Sequence, residues 1–491
     1  VNYINSAGGF MKELAQYFQD IAKSEKIEYA DIRIGRYRIR DLFFQDLSPK
    51  AIVDEERFGF GIRVLYDGAW GFASSTKVTK DEIEAVLKRA IEIAKASSMV
   101  RGDYKVKLAP EPVHIDKYVT PIEIDPFSVP LEEQIDLLYR INERMLKVKG
   151  IVKTFSHMEF RRRDQVFAST EGSLIETTIF TSNAGYTAFA VGNNDSQSRS
   201  FQDYPLNKGY EHIKSLGLLE NAERIANEAV MKLYADEPDE GIMDLVLDPA
   251  HLSLTIHESV GHPTELDRVL GYEANYAGRS FATPEKLGNF RYGSPLVNFI
   301  ADNTLPGGLA TTGYDDEGVE CQKWFIIKEG ILVDYSSTRE VASILGFPRS
   351  RGSARADSFA SFPINRIPNL CLMPGKDPVT PEDLIAGVKK GIYIEGRGSF
   401  SIDQMRLNFQ FGGDMFYEIK DGKKGKVLKN VIYQSITPQF WNSMDGVTDE
   451  RFWEPRGFLT CGKGEPTQSA QMTNGAPYAR FRNVKVGRGR R

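Results

Sequence analysis

Apolar residues recur with helical spacing from Met11, at Leu14, Tyr17, Phe18 and Ile21, and predict an amphipathic helix over about 11–25. A two-faced extended stretch follows from Tyr29 to Phe44, where Ile32 and Ile34 alternate with charged residues as in an antiparallel strand. Between Phe60 and Phe72 two short apolar runs flank Asp67-Gly68, a pair suited to the positive φ values of a type I′ turn, so a hairpin is expected. Helices are predicted at about 80–97, with Ile83, Val86, Leu87, Ala90, Ile91 and Ala94 on one face, and at about 130–147, with Pro130 in the first helical position. The strand pattern returns from Ile151 to Ala190 around a turn at Glu171-Gly172, and another helix follows from about Leu218 to Tyr234.

Asp236-Glu237-Pro238-Asp239-Glu240-Gly241 interrupts this order. It is acidic, lacks apolar residues and contains both breakers, which marks a boundary between an N-terminal domain, 11–240, and a C-terminal domain, 241–491. Beyond it short strands dominate, Trp324 to Ile327, Ile331 to Tyr335, Leu407 to Phe411 and Met415 to Ile419, with one helix near 380–390. The expected fold class is α+β: an N-terminal α/β sheet-and-helix domain and a C-terminal β-rich domain with a curled, barrel-like sheet. Residues 1–10 are set aside as a lead outside the fold, and Arg480 to Arg491 read as a solvated basic tail.

Charge narrows the function. With 62 Lys and Arg against 67 Asp and Glu, the formal charge of −5 gives no basis for general nucleic-acid affinity. Three cysteines, Cys321, Cys371 and Cys461, are too few for a disulfide framework and fit a reducing compartment. No 18-residue apolar run exists, and Val1 to Phe10 has neither a basic nor a long apolar signal region, so a cytoplasmic location without membrane association is expected. A nucleotide enzyme finds no support, since neither a P-loop nor a strand-linked GxGxxG occurs.

Chemistry concentrates in His257-Glu258-Ser259-Val260-Gly261-His262, which holds two of only six histidines. Neutral imidazoles bind zinc, and a nearby carboxylate can take the proton of water in a vacant coordination position. The spacing departs from His-Glu-x-x-His, whose ligands share a helix face at i and i+4. Five residues of regular α-helix would turn the second ring away by about 140°. The flanks offer a remedy: Asp248 caps a helix from Pro249 that carries His257 and Glu258 near its end, and Gly261 and Pro263 break it. Either a swing of His262 out of the helix or a π-type turn would then align the rings.

A third ligand stays open on this reading. Glu265, Asp267 and Glu273 are near in sequence, while Cys321 and Cys371 sit among apolar neighbours and read as buried hydrophobes. Cys461 lies in Thr460-Cys461-Gly462-Lys463-Gly464, read as a flexible loop in which Lys463 favours the thiolate. Tyr272, Tyr276 and Arg279 follow the motif as candidates to steady an oxyanion, with none singled out.

Nearly the whole chain resembles the TldD/PmbA metallopeptidases, and more closely their TldD branch. The resemblance is carried by Gly59-Phe60-Gly61-Ile62-Arg63-Val64, Asp67-Gly68-Ala69-Trp70-Gly71-Phe72, the His257 to His262 segment, Asp315-Asp316-Glu317-Gly318, Pro368-Asn369, Pro374-Gly375 and Cys461-Gly462-Lys463. It implies Zn2+ held by His257, His262 and Cys461, with Glu258 as general base. It also implies a two-domain fold and a dimer, either with a second copy or with a related TldE/PmbA-type subunit. The branch without the zinc motif serves as a non-catalytic partner; this chain has every ligand and resembles the active kind. Gly464-Glu465-Pro466 departs from the family's Asp-Gly-Gln-like continuation.

The expected activity is zinc-dependent hydrolysis of short or unfolded peptides, held by backbone pairing to a strand edge. The alternative is a non-catalytic, zinc-stabilised protein-interaction module of the gyrase-modulator type. Structural zinc sites normally have four protein ligands, so three plus an ionisable Glu favour catalysis.

Overall fold

The computed structural model describes residues 2–489. Its first helix, α1 (Asn2–Lys23), starts at Asn2, so residues 2–10 continue the helix expected from Met11; Val1 lies outside the described residues. Strands β1 (Tyr29–Gln45) and β2 (Ser48–Tyr66) pair antiparallel, with Asp31 opposite Arg63. Asp67 and Gly68 then take φ values of 42° and 68°, as a type I′ turn requires, and return the chain as β3 (Ala69–Ser75). Four further strands, β4 (Ile115–Val119), β5 (Ile151–Ser169), β6 (Leu174–Gly192) and β7 (Asp195–Phe201), complete a seven-stranded sheet. Its order is β3-β2-β1-β5-β6-β4, with β7 also on β6.

The sheet is covered by helices in two patches. The first patch is α1 and α2 (Lys80–Val100), which buries the predicted face Ile83, Val86, Leu87, Ala90, Ile91 and Ala94. Each larger aliphatic group contributes about 1.5–3 kcal/mol when fully buried. Gly71 permits this contact, because a Cβ there would lie 2.1 Å from the Ala90 carbonyl oxygen. The second patch is α3 (Leu131–Leu146), α4 (Tyr210–Ser215) and α5 (Leu218–Leu233), packed on β5 and β6. Pro130 stands just before α3 rather than inside it, with φ −53° and ψ 136°.

The C-terminal half is built on a nine-stranded sheet around β8 (Gly241–Leu247). From one edge the order is Phe400–Ile402, Asn408–Gly412, Val431–Ile436, Ala479–Arg488, β8, Lys390–Glu395, Met415–Lys420 and Lys423–Leu428, with Met444–Val447 also on Ala479–Arg488. The C-terminal half is β-rich as expected, and among the described residues the first and last strands do not pair, so the sheet is open rather than a closed barrel. The solvated basic tail is also corrected. Residues 479–488 form an interior strand that buries Phe481, Val484 and Val486, while Arg480 and Arg482 pair with Asp445 at 2.8 and 2.6 Å. Arg490 and Arg491 lie outside the described residues. Among the described residues no helix is long and apolar enough to cross a membrane.

Arginines join the halves, and two of them, Arg63 and Arg199, are buried. Arg63 bonds Asp31 and reaches Glu317 at 3.1 Å, so part of the Asp315-Asp316-Glu317-Gly318 segment is a structural tie. Asp315 accepts backbone N–H groups from Glu317, Val319 and Ala354, each at 2.9 Å. Arg199 on β7 pairs with Asp414 at 2.9 Å and Glu395 at 3.0 Å, and Arg161 on β5 donates to the Leu459 carbonyl at 3.3 Å. The N-terminal sheet thereby braces the segment that carries Cys461.

Candidate metal centre

The helix α6 (Pro249–Ile256) begins at the predicted cap, where the Asp248 carboxylate accepts the His251 N–H at 2.7 Å. At His257 the winding widens into a π-helix, His257–Gly261, and the His262 N–H donates to the His257 carbonyl. This i to i+5 bond sets the second histidine over the first, with ring centroids 4.8 Å apart and planes at 83°. Of the two expected remedies, the chain therefore uses the π-turn. His262 remains in the right-handed helical region at φ −60° and ψ −42° despite the following Pro263.

Gly261 has an ordinary helical φ of −60°, so its role is space rather than dihedral freedom. A Cβ there would approach Ile367 Cδ1 to 2.9 Å. Gly261→Val is expected to cost about 1–3 kcal/mol by overpacking. Because the strain falls on the π-turn, metal affinity should drop with it; denaturant unfolding and metal titration check both.

Cys461 completes the cluster. It lies on the strand Gly457–Lys463, paired with Gln468–Thr473, rather than in the flexible loop expected. Its Sγ is 3.6 Å from His262 Nε2, and the donor atoms of His257, His262 and Cys461 all fall within 4.8 Å of one another. The Nδ1 sides are engaged elsewhere: His257 Nδ1 lies 3.0 Å from Asn474 Oδ1 and His262 Nδ1 lies 2.8 Å from Glu265 Oε2. Asn474 donates its Nδ2 to the Leu370 carbonyl, so Oδ1 is the acceptor and His257 Nε2 keeps its lone pair. Such outer partners orient metal-binding imidazoles, and two imidazoles with one sulfur suit a borderline-soft divalent ion.

Electrostatics place negative charge on the sulfur. Burial opposes a thiolate at Cys461, but His257 and His262 beside it hold the thiol well below its ordinary value. Burial alone would lower His262, yet Cys461 and Glu265 push it up to about 9. Lys463 does not serve the thiolate as expected; its ammonium is fully buried and pairs with Asp267 at 2.7 Å and Glu265 at 3.1 Å.

The other candidates are placed apart from the donor cluster. Glu265 stands behind His262, Asp267 binds Lys463, and Glu273 pairs with Arg268 at 3.0 Å. Cys371 is buried on the strand Leu370–Leu372, where desolvation pushes its thiol up to about 12, and burial pushes Cys321 up to about 11. Tyr272 donates to Glu340 at 2.8 Å and lies 3.1 Å from the Tyr104 hydroxyl. Tyr276 packs against Gly464 in the turn that departs from the family pattern, and the Arg279 guanidinium lies near Gly271.

Glu258 has a partner that local sequence reasoning missed. Arg406, 148 residues away, donates through Nη1 to Glu258 Oε2. Asn474 was missed as well, being 217 residues from His257. Neither carries a local signal: each is one polar residue in a turn or at a strand end. The four residues His257, Glu258, His262 and Cys461 are only 4–5% exposed, so the donors lie in a nearly closed recess.

Known families give this arrangement a context. Three family models match: PmbA/TldA metallopeptidase domain 1 over 30–94, the central domain over 124–235 and the C-terminal domain over 240–488. A Methanothermobacter thermautotrophicus protein named metalloprotease is 30% identical over 94% of this chain and 96% of its own length. A Saccharolobus solfataricus protein named zinc metalloprotease TldD homolog is 25% identical over 96% of this chain and 99% of its own. The fold matches TldE from Thermococcus kodakarensis, with a TM-score of 0.71 and 17% identity, covering 97% of this chain and 100% of that one. It also matches a Thermotoga maritima protein named as a modulator of a DNA gyrase, with a TM-score of 0.76 and 17% identity, covering 97% and 99% of the two chains. With all three models matched in order and a relative at 30% identity along nearly its full length, the chain belongs to the PmbA/TldD metallopeptidase family.

Proposed function

We propose that this protein is a zinc-dependent peptidase in which His257, His262 and Cys461 hold the ion and Glu258 is the general base. The observation that carries the reading is the convergence of two imidazoles and one sulfur, from segments about 200 residues apart, within 4.8 Å. Zinc is supported by the donor chemistry and by the name of the Saccharolobus solfataricus relative. When bound, the ion supplies a Lewis acid that acidifies water and polarises the scissile carbonyl. Glu258 takes the water's proton as its oxygen attacks, then passes it to the leaving amine. Asn474 and Glu265 hold the two imidazoles in place through their Nδ1 atoms.

Short or unfolded peptides are the proposed substrates. The open edges of the C-terminal sheet support binding by strand addition, in which backbone pairing supplies affinity and side-chain selectivity is modest. We take 236–241 as the seam between a domain of 11–240 and one of 241–491; the change from the central to the C-terminal family match between 235 and 240 supports this. A dimer with a second copy or a TldE-type subunit is the proposed assembly, supported by the similarity to a TldE structure. The three unpaired cysteines support a cytoplasmic location.

The test is metal analysis joined to digestion of an unfolded peptide library. About one zinc per chain and cleavage are expected; a chelator should abolish cleavage, and added zinc should restore it. Metal-loaded protein that cleaves no peptide, alone or with its partner subunit, would favour the non-catalytic interaction module.

A further inference from the structure

We propose that Arg406 is a catalytic residue, whose guanidinium anchors Glu258 through Nη1 and offers Nη2 to the oxyanion developing on the scissile carbonyl. This assignment rests on the peptidase reading and goes beyond it by naming the group that stabilises charge.

The three guanidinium nitrogens are differently placed. Nη1 bonds Glu258 Oε2, and Nε is buried without an acceptor. Nη2 makes no protein hydrogen bond among the described residues and is not among the enclosed nitrogens, so it is the accessible donor of a side chain 15% exposed. Glu258 is the sole carboxylate paired with Arg406 among the described residues, and its Oε1 accepts no protein hydrogen bond there, which leaves that oxygen for water. A cationic donor with a free N–H beside the base can meet negative charge developing on a substrate bound there.

The backbone holds this side chain in place at a cost. Arg406 has φ 61°, a conformation unusual for any residue but glycine, asparagine or aspartate. The turn is fixed on three sides: Arg406 N–H donates to the Asp403 carbonyl at 2.9 Å, Leu407 N–H donates to the Asp403 carboxylate at 2.8 Å, and Thr437 Oγ1 donates to the Arg406 carbonyl at 2.9 Å. By contrast, the Tyr272 hydroxyl is engaged by Glu340 and Tyr104.

In the step proposed, the water oxygen forms a bond to the carbonyl carbon while one water proton moves to Glu258 Oε1. The carbonyl π pair moves onto its oxygen, whose negative charge Nη2–H meets. Collapse reforms the carbonyl, breaks the C–N bond and returns the proton from Glu258 to the amine. Arg406 keeps its protons throughout.

Zinc-loaded full-length wild type, Arg406→Lys and Arg406→Ala are compared for zinc content, melting temperature, kcat and KM on one peptide, and calorimetric Kd for the matching phosphinic peptide, a tetrahedral anion. Arg406→Ala should keep one zinc per chain and a KM within threefold, lose about 10²–10³ in kcat and weaken phosphinic binding by a similar factor. Arg406→Lys should fall between, and guanidinium ion in the buffer should restore at least tenfold to Arg406→Ala. Phosphinic affinity unchanged in Arg406→Ala would overturn the oxyanion role even if kcat falls, since Arg406 would then serve Glu258 alone. If Arg406→Ala does not fold, Arg406→Lys decides: equal kcat and phosphinic affinity to wild type would overturn the assignment. A wild type that neither cleaves peptides nor binds the phosphinic peptide would instead remove the peptidase reading.

Discussion

Glu258→Gln is expected to leave zinc content near one per chain and to lower kcat by about 10³-fold, with KM nearly unchanged. The amide matches the carboxylate in size and can still accept the Arg406 bond, so the recess should keep its shape. What it loses is the capacity to take a proton at neutral pH, and that loss falls in the transition state rather than in substrate binding. The proposed metal donors on either side of Glu258 are His257 and His262, whose Nδ1 partners Asn474 and Glu265 do not touch the substituted group. Zinc content by mass spectrometry of the loaded protein and kcat from peptide cleavage are the two readouts. Hydrolysis preserved in this variant would remove Glu258 from the mechanism; zinc lost together with activity would mean that the carboxylate supports the site rather than the chemistry.

The fold was most legible where its determinants are local. Alternation from Tyr29 to Phe44 and the Asp67-Gly68 turn need no distant partner, and both appear in the sheet as expected. The spacing of His257 and His262 was informative as a misfit, because no regular α-helix could align the rings, and the π-turn resolves it. Interactions between distant segments were not legible. Arg480 and Arg482 look like part of a solvated tail until Asp445 pairs with them and Phe481, Val484 and Val486, on either side of a register shift, enter the core. Composition sees charge but not its partners. Local reasoning about Cys461 left acidic competitors open, and only the family resemblance chose among them; the structure sets its sulfur beside His262. Arg406 had neither periodicity nor motif to mark it.

Lys463→Met tests how tightly folding and metal binding are joined. Lys463 is fully buried, and burial works against its charge, yet Asp267, Glu265 and Glu273 hold its ammonium above the ordinary lysine range. Methionine has similar length but leaves Glu265 and Asp267 in the interior without their cation, a loss expected to cost about 3–5 kcal/mol. The damage should not stop at stability. Burial would raise Glu265, but Lys463 and then His262 hold it well below the usual carboxylate range, so the cation helps keep ionised the group that orients His262. Metal affinity should therefore fall by about 10–100-fold, the usual price of disturbing an outer partner of a ligand. Adding Asp267→Asn removes one of the stranded charges, so the double variant should recover part of the stability lost by Lys463→Met, giving a coupling energy of about 1–3 kcal/mol in urea unfolding. Additive losses would mean that Lys463 and Asp267 act independently, and unchanged metal affinity in Lys463→Met would mean that the charge network has no hold on His262.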